Sequence, residues 1–188
     1  MNTQIALAGV GGQGILFATK LLAETAIRSG YDLTGSETHG MSQRGGSVVS
    51  YLKIGDFLSP LLSPGSADYL LAFEPNEACR NLALVRTGLE NRSGGRIYAN
   101  AGPDFPSPPF AEFFKKNKIK THVINADQIA LDMGAPLSTN LIMLGFACAD
   151  PDFPFSPGEL TETARQTGPE RFREANVKAL ETGRQAFV

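Results

Sequence analysis

The sequence predicts an α/β protein of three layers, in which a central, mostly parallel (mixed) sheet is covered by helices on both faces. Short apolar runs typical of strands alternate along the chain with segments of helical periodicity. The first run, residues 4–8, is continuously apolar from Ile5, which indicates a strand buried on both faces. A glycine-rich turn and a helix follow it, so the chain opens with a Rossmann-like βα unit.

Each predicted element has its own local signal. The first helix carries apolar residues near the 3.6-residue period and reaches Gly30, a natural C-terminal stop. Pro75 suits the first turn of a helix, whereas Pro60 and Pro64 exclude a helix from their segment. The predicted strands are residues 4–8, 31–36, 47–54, 69–73, 96–99 and 121–125. The predicted helices are residues 13–29, 75–85, 110–117, 126–133, 139–149, 157–166 and 169–187.

Length and composition limit the possible classes of function. The 188 residues, 42% of them hydrophobic, suit a single domain with a sizeable core, and we expect residues 1–188 to form one domain. A net charge of −2 gives no electrostatic footprint for nucleic acid or an acidic membrane. The longest strongly apolar stretch, residues 140–149, is too short for a membrane helix, and the N-terminus shows no signal peptide. We therefore expect a soluble, cytoplasmic protein.

The cysteine count argues against a resident metal centre. Cys79 and Cys148 lie far apart with no CxxC pair, and only His39 and His122 could supplement them. An iron–sulfur cluster needs about four thiolates, and a structural zinc needs about four nitrogen or sulfur ligands. We expect no metal on this chain, and both cysteines are predicted to be core residues.

A glycine loop gives the strongest local signal. It follows the first predicted strand and begins the first predicted helix, which is the context in which GxGxxG has meaning. Glycines allow a tight turn, and the helix N-terminus favours an anion, so the loop predicts a phosphate or carboxylate site. The alternative is a tight turn whose glycines only let the helix pack against the sheet. The candidate residues are Gly9, Gly11, Gly12, Gln13 and Gly14.

Glu37 lies where a Rossmann dinucleotide site places its ribose-binding acid, so NAD binding remains open. The predicted polar loop, residues 37–46, argues against it because a strand follows where a second helix would be expected. This loop concentrates donors between glycines and suits a carboxylate, a phosphate or an acidic group of a partner. A solvated surface turn is the alternative, and only Glu37 is available to assist His39 as an acid or base. The candidates are Glu37, His39, Gly40, Ser42, Gln43, Arg44, Gly45 and Gly46.

These segments resemble a known family. Two stretches resemble the gamma-type domain of the 2-oxoacid:ferredoxin oxidoreductases: GVGGQG with the helix that follows it, and SETHGMSQRGGSV. Within that family, the sequence most resembles the beta subunits of the indolepyruvate enzymes. The second motif is the more specific of the two. TNLIMLG, which contains Asn140, resembles a helix start of the same domain and adds Asn140 to the candidates.

The resemblance implies a subunit of an oxygen-sensitive, cytoplasmic complex of anaerobic metabolism. That complex oxidatively decarboxylates a 2-oxoacid to an acyl-CoA and passes the electrons to ferredoxin. Thiamine diphosphate, Mg²⁺ and iron–sulfur clusters would be held by a larger partner subunit, and CoA would bind near the interface. The resemblance supplies no catalytic residue on this chain, and the isolated chain is expected to be inactive.

Two other classes of function stay open at this point. One is a stand-alone NAD- or flavin-binding oxidoreductase that uses the same glycine loop. The other is a binding module for a nucleotide or CoA. The sequence also leaves open which 2-oxoacid is used, which residues contact CoA or the partner, whether the chain forms a homodimer, and what residues 151–188 do.

Overall fold

The computed structural model describes residues 1–39 and 46–187, with only the backbone of residues 38 and 39. Strands and helices alternate as the sequence predicts. The strands are β1 (Thr3–Val10), β2 (Leu33–His39), β3 (Ser47–Ile54), β4 (Tyr69–Ala72), β5 (Arg96–Asn100) and β6 (Lys120–Ile124). The helices are α1 (Ile15–Arg28), α2 (Pro75–Arg80), α3 (Pro108–Lys116), α4 (Ala126–Asp132), α5 (Thr139–Ala149), α6 (Pro157–Gln166) and α7 (Arg173–Gln185).

The six strands form one mixed sheet in the order β2-β3-β1-β4-β5-β6. β1, β4, β5 and β6 run parallel, whereas β3 is antiparallel to both of its neighbours. The predicted mostly parallel sheet is therefore confirmed. β2 runs in the same direction as β1, but β3 lies between them. The first βαβ unit is thus split by an inserted strand.

The two faces of the sheet have separate apolar cores. Ile5 and Leu7 of β1 belong to the core beneath α1, α4, α5, α6 and α7. Ala6 and Ala8 alternate with them and belong to the core beneath α2 and α3. All four side chains are fully buried, which is why the first strand is apolar without interruption. The three-layer prediction is confirmed.

Some element boundaries differ from the prediction. The helix expected over residues 75–85 ends at Arg80 and is followed by a 3₁₀ turn, Leu82–Leu84. The helix expected from residue 169 begins at Arg173, after the 3₁₀ turn Glu170–Phe172. The polar loop expected from Glu37 was placed too early. β2 continues to His39 because it stays paired with β3, with His39 opposite Val48.

Helices α5 and α7 touch through their backbones. A Cβ on Gly145 of α5 would overlap the carbonyl oxygen of Leu180, and a Cβ on Gly183 of α7 would overlap that of Ile142. Both glycines are in regular helix, where glycine lowers intrinsic helix stability. They are required because any side chain would push the two helices apart.

We predict that Gly145→Ala destabilises the fold by about 2–3 kcal/mol, because the added methyl group forces the α5 and α7 backbones apart. The free energy of unfolding from urea titration measures this effect. Gly158→Ala in α6 is the matched control, since its Cβ would have only the Ser156 hydroxyl nearby, at 3.9 Å. Equal stability of the two variants would contradict this account of the helix contact.

Candidate functional site

The candidates Gln13, Gly14 and Asn140 lie where the parallel strand β1 ends. The chain leaves β1 through α1 toward β2, and it leaves β4 through α2 toward β5. The connections therefore diverge between β1 and β4, the point at which open α/β sheets usually bind their ligands. The glycine loop follows β1 here, and Glu74 follows β4. We refer to this side of the sheet as the carboxyl edge.

Gln13 occupies the point where the connections diverge. Its Oε1 accepts a hydrogen bond from the Val10 backbone N–H at 2.9 Å. Its Nε2 donates to the Phe73 carbonyl at 3.2 Å and to Glu74 Oε1 at 2.8 Å. The side-chain amide therefore bridges the ends of β1 and β4 and lies in the crevice where an open α/β sheet would place a dinucleotide. This arrangement disfavours the NAD interpretation of the loop.

Internal packing explains two of the loop glycines. A Cβ on Gly9 would lie 2.6 Å from Gln13 Oε1 and 2.9 Å from the Phe73 Cβ. Gly14 caps α1 with a φ of 73°, and a Cβ there would overlap the amide of Asn140. Asn140 Nδ2 donates to the Gly14 carbonyl at 3.1 Å and so connects α5 to the loop. The structure thus brings the predicted candidates Gln13, Gly14 and Asn140 together.

Gly12 is different from these two. It is exposed, its φ is 103°, and a Cβ built on it would have no atom within 4 Å. Its backbone therefore faces open space at the carboxyl edge. Among Gly9, Gly12 and Gly14, Gly12 is the one whose surroundings leave room for a ligand or a partner.

The strand that follows the second motif starts beside the glycine loop. The Gly11 N–H donates to the Gly46 carbonyl at 2.9 Å. The Ser47 hydroxyl donates to Glu77 Oε2 at 2.7 Å, and Arg80 pairs with Glu77 Oε1 at 2.7 Å. Glu77 is buried, so this carboxylate fixes the start of β3 from α2. The sequence analysis missed Glu77, although an acidic residue in the first turn of a predicted helix is a signal that could have found it.

The remaining candidates of the second motif are only partly covered by the structure. Glu37 is exposed on β2, opposite Ser50 of β3. β3 separates it from β1, so it lies about two strand spacings, roughly 10 Å, from the glycine loop in the sheet. This distance further disfavours a ribose contact. The backbone of His39 ends β2. The predictions for Gly40, Ser42, Gln43, Arg44 and Gly45 fall outside the described residues.

A second hydrogen-bonded group at the carboxyl edge was not predicted. The buried Asn100 donates from Nδ2 to Asp127 Oδ2 at 2.9 Å and accepts the Ala126 N–H at 2.9 Å. The Thr139 hydroxyl donates to Asp127 Oδ1 at 2.9 Å. The ends of β5 and the starts of α4 and α5 are therefore held together. An asparagine at a strand end followed by polar helix starts is the signal that could have indicated this group.

The cysteines have different environments. Cys148 is buried in α5, its thiol donates to the Leu144 carbonyl at 3.0 Å, and burial raises its pKa. The core prediction is therefore right for Cys148. It is wrong for Cys79, which is only partly buried and lines a cleft beside α2. The cleft exists because the segment after β5 leads away from α2 before α3 begins.

His122 lies in β6, away from the carboxyl edge. Its ring stacks on Tyr98 with centroids 5.2 Å apart. Its Nε2 is 3.3 Å from Asp150 Oδ2, but it does not have hydrogen-bond geometry. Burial lowers the pKa of His122, and the attraction of Asp150 does not offset this because Arg96 repels the charged form. His122 is therefore held neutral in a packed environment, in keeping with a structural role.

The described residues contain no cluster of three or more His, Cys, Asp or Glu side chains that could hold a metal ion. None of the described helices is long and apolar enough to cross a membrane. What the carboxyl edge provides is a set of hydrogen-bonded amides and an open glycine backbone. Such an arrangement holds a surface in a fixed shape for binding.

Comparison with known proteins agrees with this geometry. The family described as pyruvate ferredoxin/flavodoxin oxidoreductase matches residues 4–186. The chain belongs to this family. The indolepyruvate oxidoreductase subunit IorB of Methanothermobacter thermautotrophicus is 36% identical over 97% of this chain and 96% of the relative. IorB of Pyrococcus horikoshii is 35% identical over 97% and 94%.

A solved structure supports membership of the family. The gamma subunit of a keto/oxoacid ferredoxin oxidoreductase from Geobacter sulfurreducens superposes with a TM-score of 0.74. The two chains are 25% identical, and the alignment covers 97% of this chain and 96% of the other. The resemblance inferred from the two sequence motifs is therefore confirmed.

We predict that Gln13→Glu destabilises the protein by roughly 1–3 kcal/mol at neutral pH, because a carboxylate replaces the amide donor that faces Glu74 and the Phe73 carbonyl. The free energy of unfolding from urea titration at neutral pH measures this effect.

Gln128→Glu provides the matched control. Its amide also donates to a carboxylate, Asp132 Oδ1 at 2.8 Å, but on the exposed surface of α4. We expect this change to cost less than about 0.5 kcal/mol. If both variants lost the same stability, Gln13 would not be the bridge between β1 and β4.

Proposed function

We propose that this chain is the gamma-type subunit of an indolepyruvate:ferredoxin oxidoreductase. The complex would convert an aryl 2-oxoacid and CoA to the acyl-CoA and CO₂, while two electrons pass to ferredoxin. The similarity to the two IorB subunits along nearly the whole chain carries this proposal. We take the chain as one gamma-type domain, and we place the complex in the cytoplasm of an anaerobic cell.

A larger partner subunit would hold the redox and thiamine chemistry. An iron–sulfur cluster needs about four thiolates, and this sequence contains two cysteines, of which Cys148 is buried with its thiol bonded to the backbone. These residues do not fit a cluster. We therefore propose that thiamine diphosphate, Mg²⁺ and the clusters belong to the partner, and no step of the reaction is assigned to a side chain of this one.

The carboxyl edge would face that partner. Gln13, Gly9, Gly14 and Asn140 would hold the shape of the edge, since their contacts are internal. Gly12 would approach the partner or the CoA co-substrate with its backbone. We assign the remaining candidates to the same interface on the strength of the motif: Gly11, Glu37, His39, Gly40, Ser42, Gln43, Arg44, Gly45 and Gly46.

A stand-alone oxidoreductase that binds NAD or flavin is the main alternative, and a nucleotide- or CoA-binding module is another. The position of Gln13 and the separation of Glu37 from β1 both weigh against a dinucleotide on this loop. Purification distinguishes the alternatives. A yellow protein, or NAD binding that is lost in Glu37→Ala, would support the stand-alone oxidoreductase. Tight CoA binding without a partner would support the binding module.

The function is tested with the pure chain and with the complex formed by co-expression with a thiamine-diphosphate-dependent large subunit from the same cell. We expect the pure chain to be colourless and to reduce no ferredoxin with indolepyruvate and CoA. The complex should do so under anaerobic conditions, and pyruvate and 2-oxoglutarate test the substrate range. Turnover of any 2-oxoacid by the pure chain would contradict the proposal.

We predict that Gly12→Val lowers the ferredoxin-reducing activity of the complex by at least about tenfold, because its side chain occupies space needed by the partner or CoA. Part of any effect comes from strain at positive φ, which costs roughly 1–2 kcal/mol. Gly30→Val controls for that strain, since Gly30 has a φ of 78° and open space around it. Both variants should fold with similar stability, but Gly30→Val should keep its activity. If the two complexes were equally active, the proposed contact of Gly12 would be wrong, and Gly12 would be needed only for the turn.

A further inference from the structure

A cleft between α2 and the segment that leads into α3 has no assigned role. Its volume is about 410 Å³, within the range of roughly 300–1,000 Å³ that is usual for ligand pockets. Pro75 and Asn76 of α2 form one wall, and residues from the end of β5 to Phe110 of α3 form the other. We call it the α2–α3 cleft.

The described residues that line the α2–α3 cleft contribute one charge, which is negative. Asp104 is exposed at its rim and makes no ion pair with another described residue. Phe105 and Phe110 line it with partly buried aromatic rings, and Asn76 and Ser107 add neutral polar groups. Among the described residues that line it there is no lysine, arginine or histidine. An acidic rim over aromatic rings attracts a cation, whereas the phosphate groups of a nucleotide or CoA would be repelled.

The cleft is also next to the proposed interface. Its α2 wall belongs to the helix whose Glu77 binds Ser47, the first residue of β3. Its other wall begins at Ala101, directly after the end of β5. The cleft therefore opens at the carboxyl edge, on the α2 side of the glycine loop, where a partner that covers the edge would also reach it.

We propose that the α2–α3 cleft receives a lysine or arginine side chain of the larger subunit, so that Asp104 pairs with it and Phe105 and Phe110 surround its aliphatic part. This inference rests on the proposed function, because it places the partner at the carboxyl edge. The cleft would then fix the orientation of the two subunits. A long cationic side chain suits it because its stem can pack on the rings while its charged end reaches the rim.

The two cysteines provide a direct probe. Cys79 lines the α2–α3 cleft and is partly exposed, whereas Cys148 is buried. N-ethylmaleimide should therefore modify Cys79 first in the isolated chain, at mildly alkaline pH because burial raises the pKa of this thiol. Mass spectrometry of the digested protein gives the rate at each cysteine. We expect modification of Cys79 to be at least about tenfold slower in the complex with the large subunit.

Substitution of the rim carboxylate tests the occupant. Asp104→Asn should weaken assembly with the large subunit by about tenfold and reduce the dependence of the affinity on salt, because one charged pair is lost. Asp104→Lys should weaken it further. Asp56→Asn is the matched control, since Asp56 is also exposed but lies after the end of β3, at the opposite edge of the sheet. It should assemble within twofold of the unmodified chain.

The outcomes separate this proposal from the proposed function. An active complex in which Cys79 reacts as fast as in the isolated chain, or in which Asp104→Asn assembles within twofold, would overturn the cleft proposal alone. Protection of Cys79 by CoA without the large subunit would show a small-molecule site instead. Protection that depends on the concentration of the isolated chain would show a second copy as the occupant. Failure to form any complex would overturn both proposals.

Discussion

The insertion of the antiparallel strand β3 between β1 and β2 is the constraint on which the carboxyl edge depends. Because β3 runs against its neighbours, it starts at the edge where β1 ends, with Ser47 paired to Val10. The Gly11 N–H reaches the Gly46 carbonyl for the same reason. The insertion therefore brings the end of the second motif, Gly46 and Ser47, beside the glycine loop, and it also separates Glu37 from β1.

The glycine loop shows how one residue changes the meaning of a common motif. In a dinucleotide-binding loop, glycines free the space at the switch point for a pyrophosphate. Here Gln13 places an amide at the switch point, where it hydrogen-bonds to Val10, Phe73 and Glu74. A partly buried amide with three good hydrogen bonds holds two strand ends together, and displacing it would leave those groups unpaired. The loop is therefore shaped by contacts within the chain.

Much of the fold could be predicted because its signals are local. The buried run in β1, the periodicity of α1 and the proline at the start of α2 each specify an element without reference to distant residues. The site depends on contacts between distant residues, and a local signal can mark one member of such a contact but not its partner. Glu77 binds Ser47 across 30 positions, Asn140 binds Gly14 across 126, and the edge strand β2 extends to His39 because β3 pairs with it. The exposure of Cys79 likewise depends on where the segment after β5 travels.

The internal use of the amide groups explains how a chain can be necessary to a reaction without supplying a reacting group. Gln13, Asn100 and Asn140 all point their polar atoms at the backbone or side chains of the same chain. Groups engaged in this way fix the shape of an edge, so little conformational entropy is lost when a partner binds it. Gly12 and Asp104 are exposed at that edge, one with an open backbone and the other with a carboxylate. A preorganised surface with these two features is suited to orienting a larger subunit, which is the part of the complex to which we assign the chemistry in the proposed function.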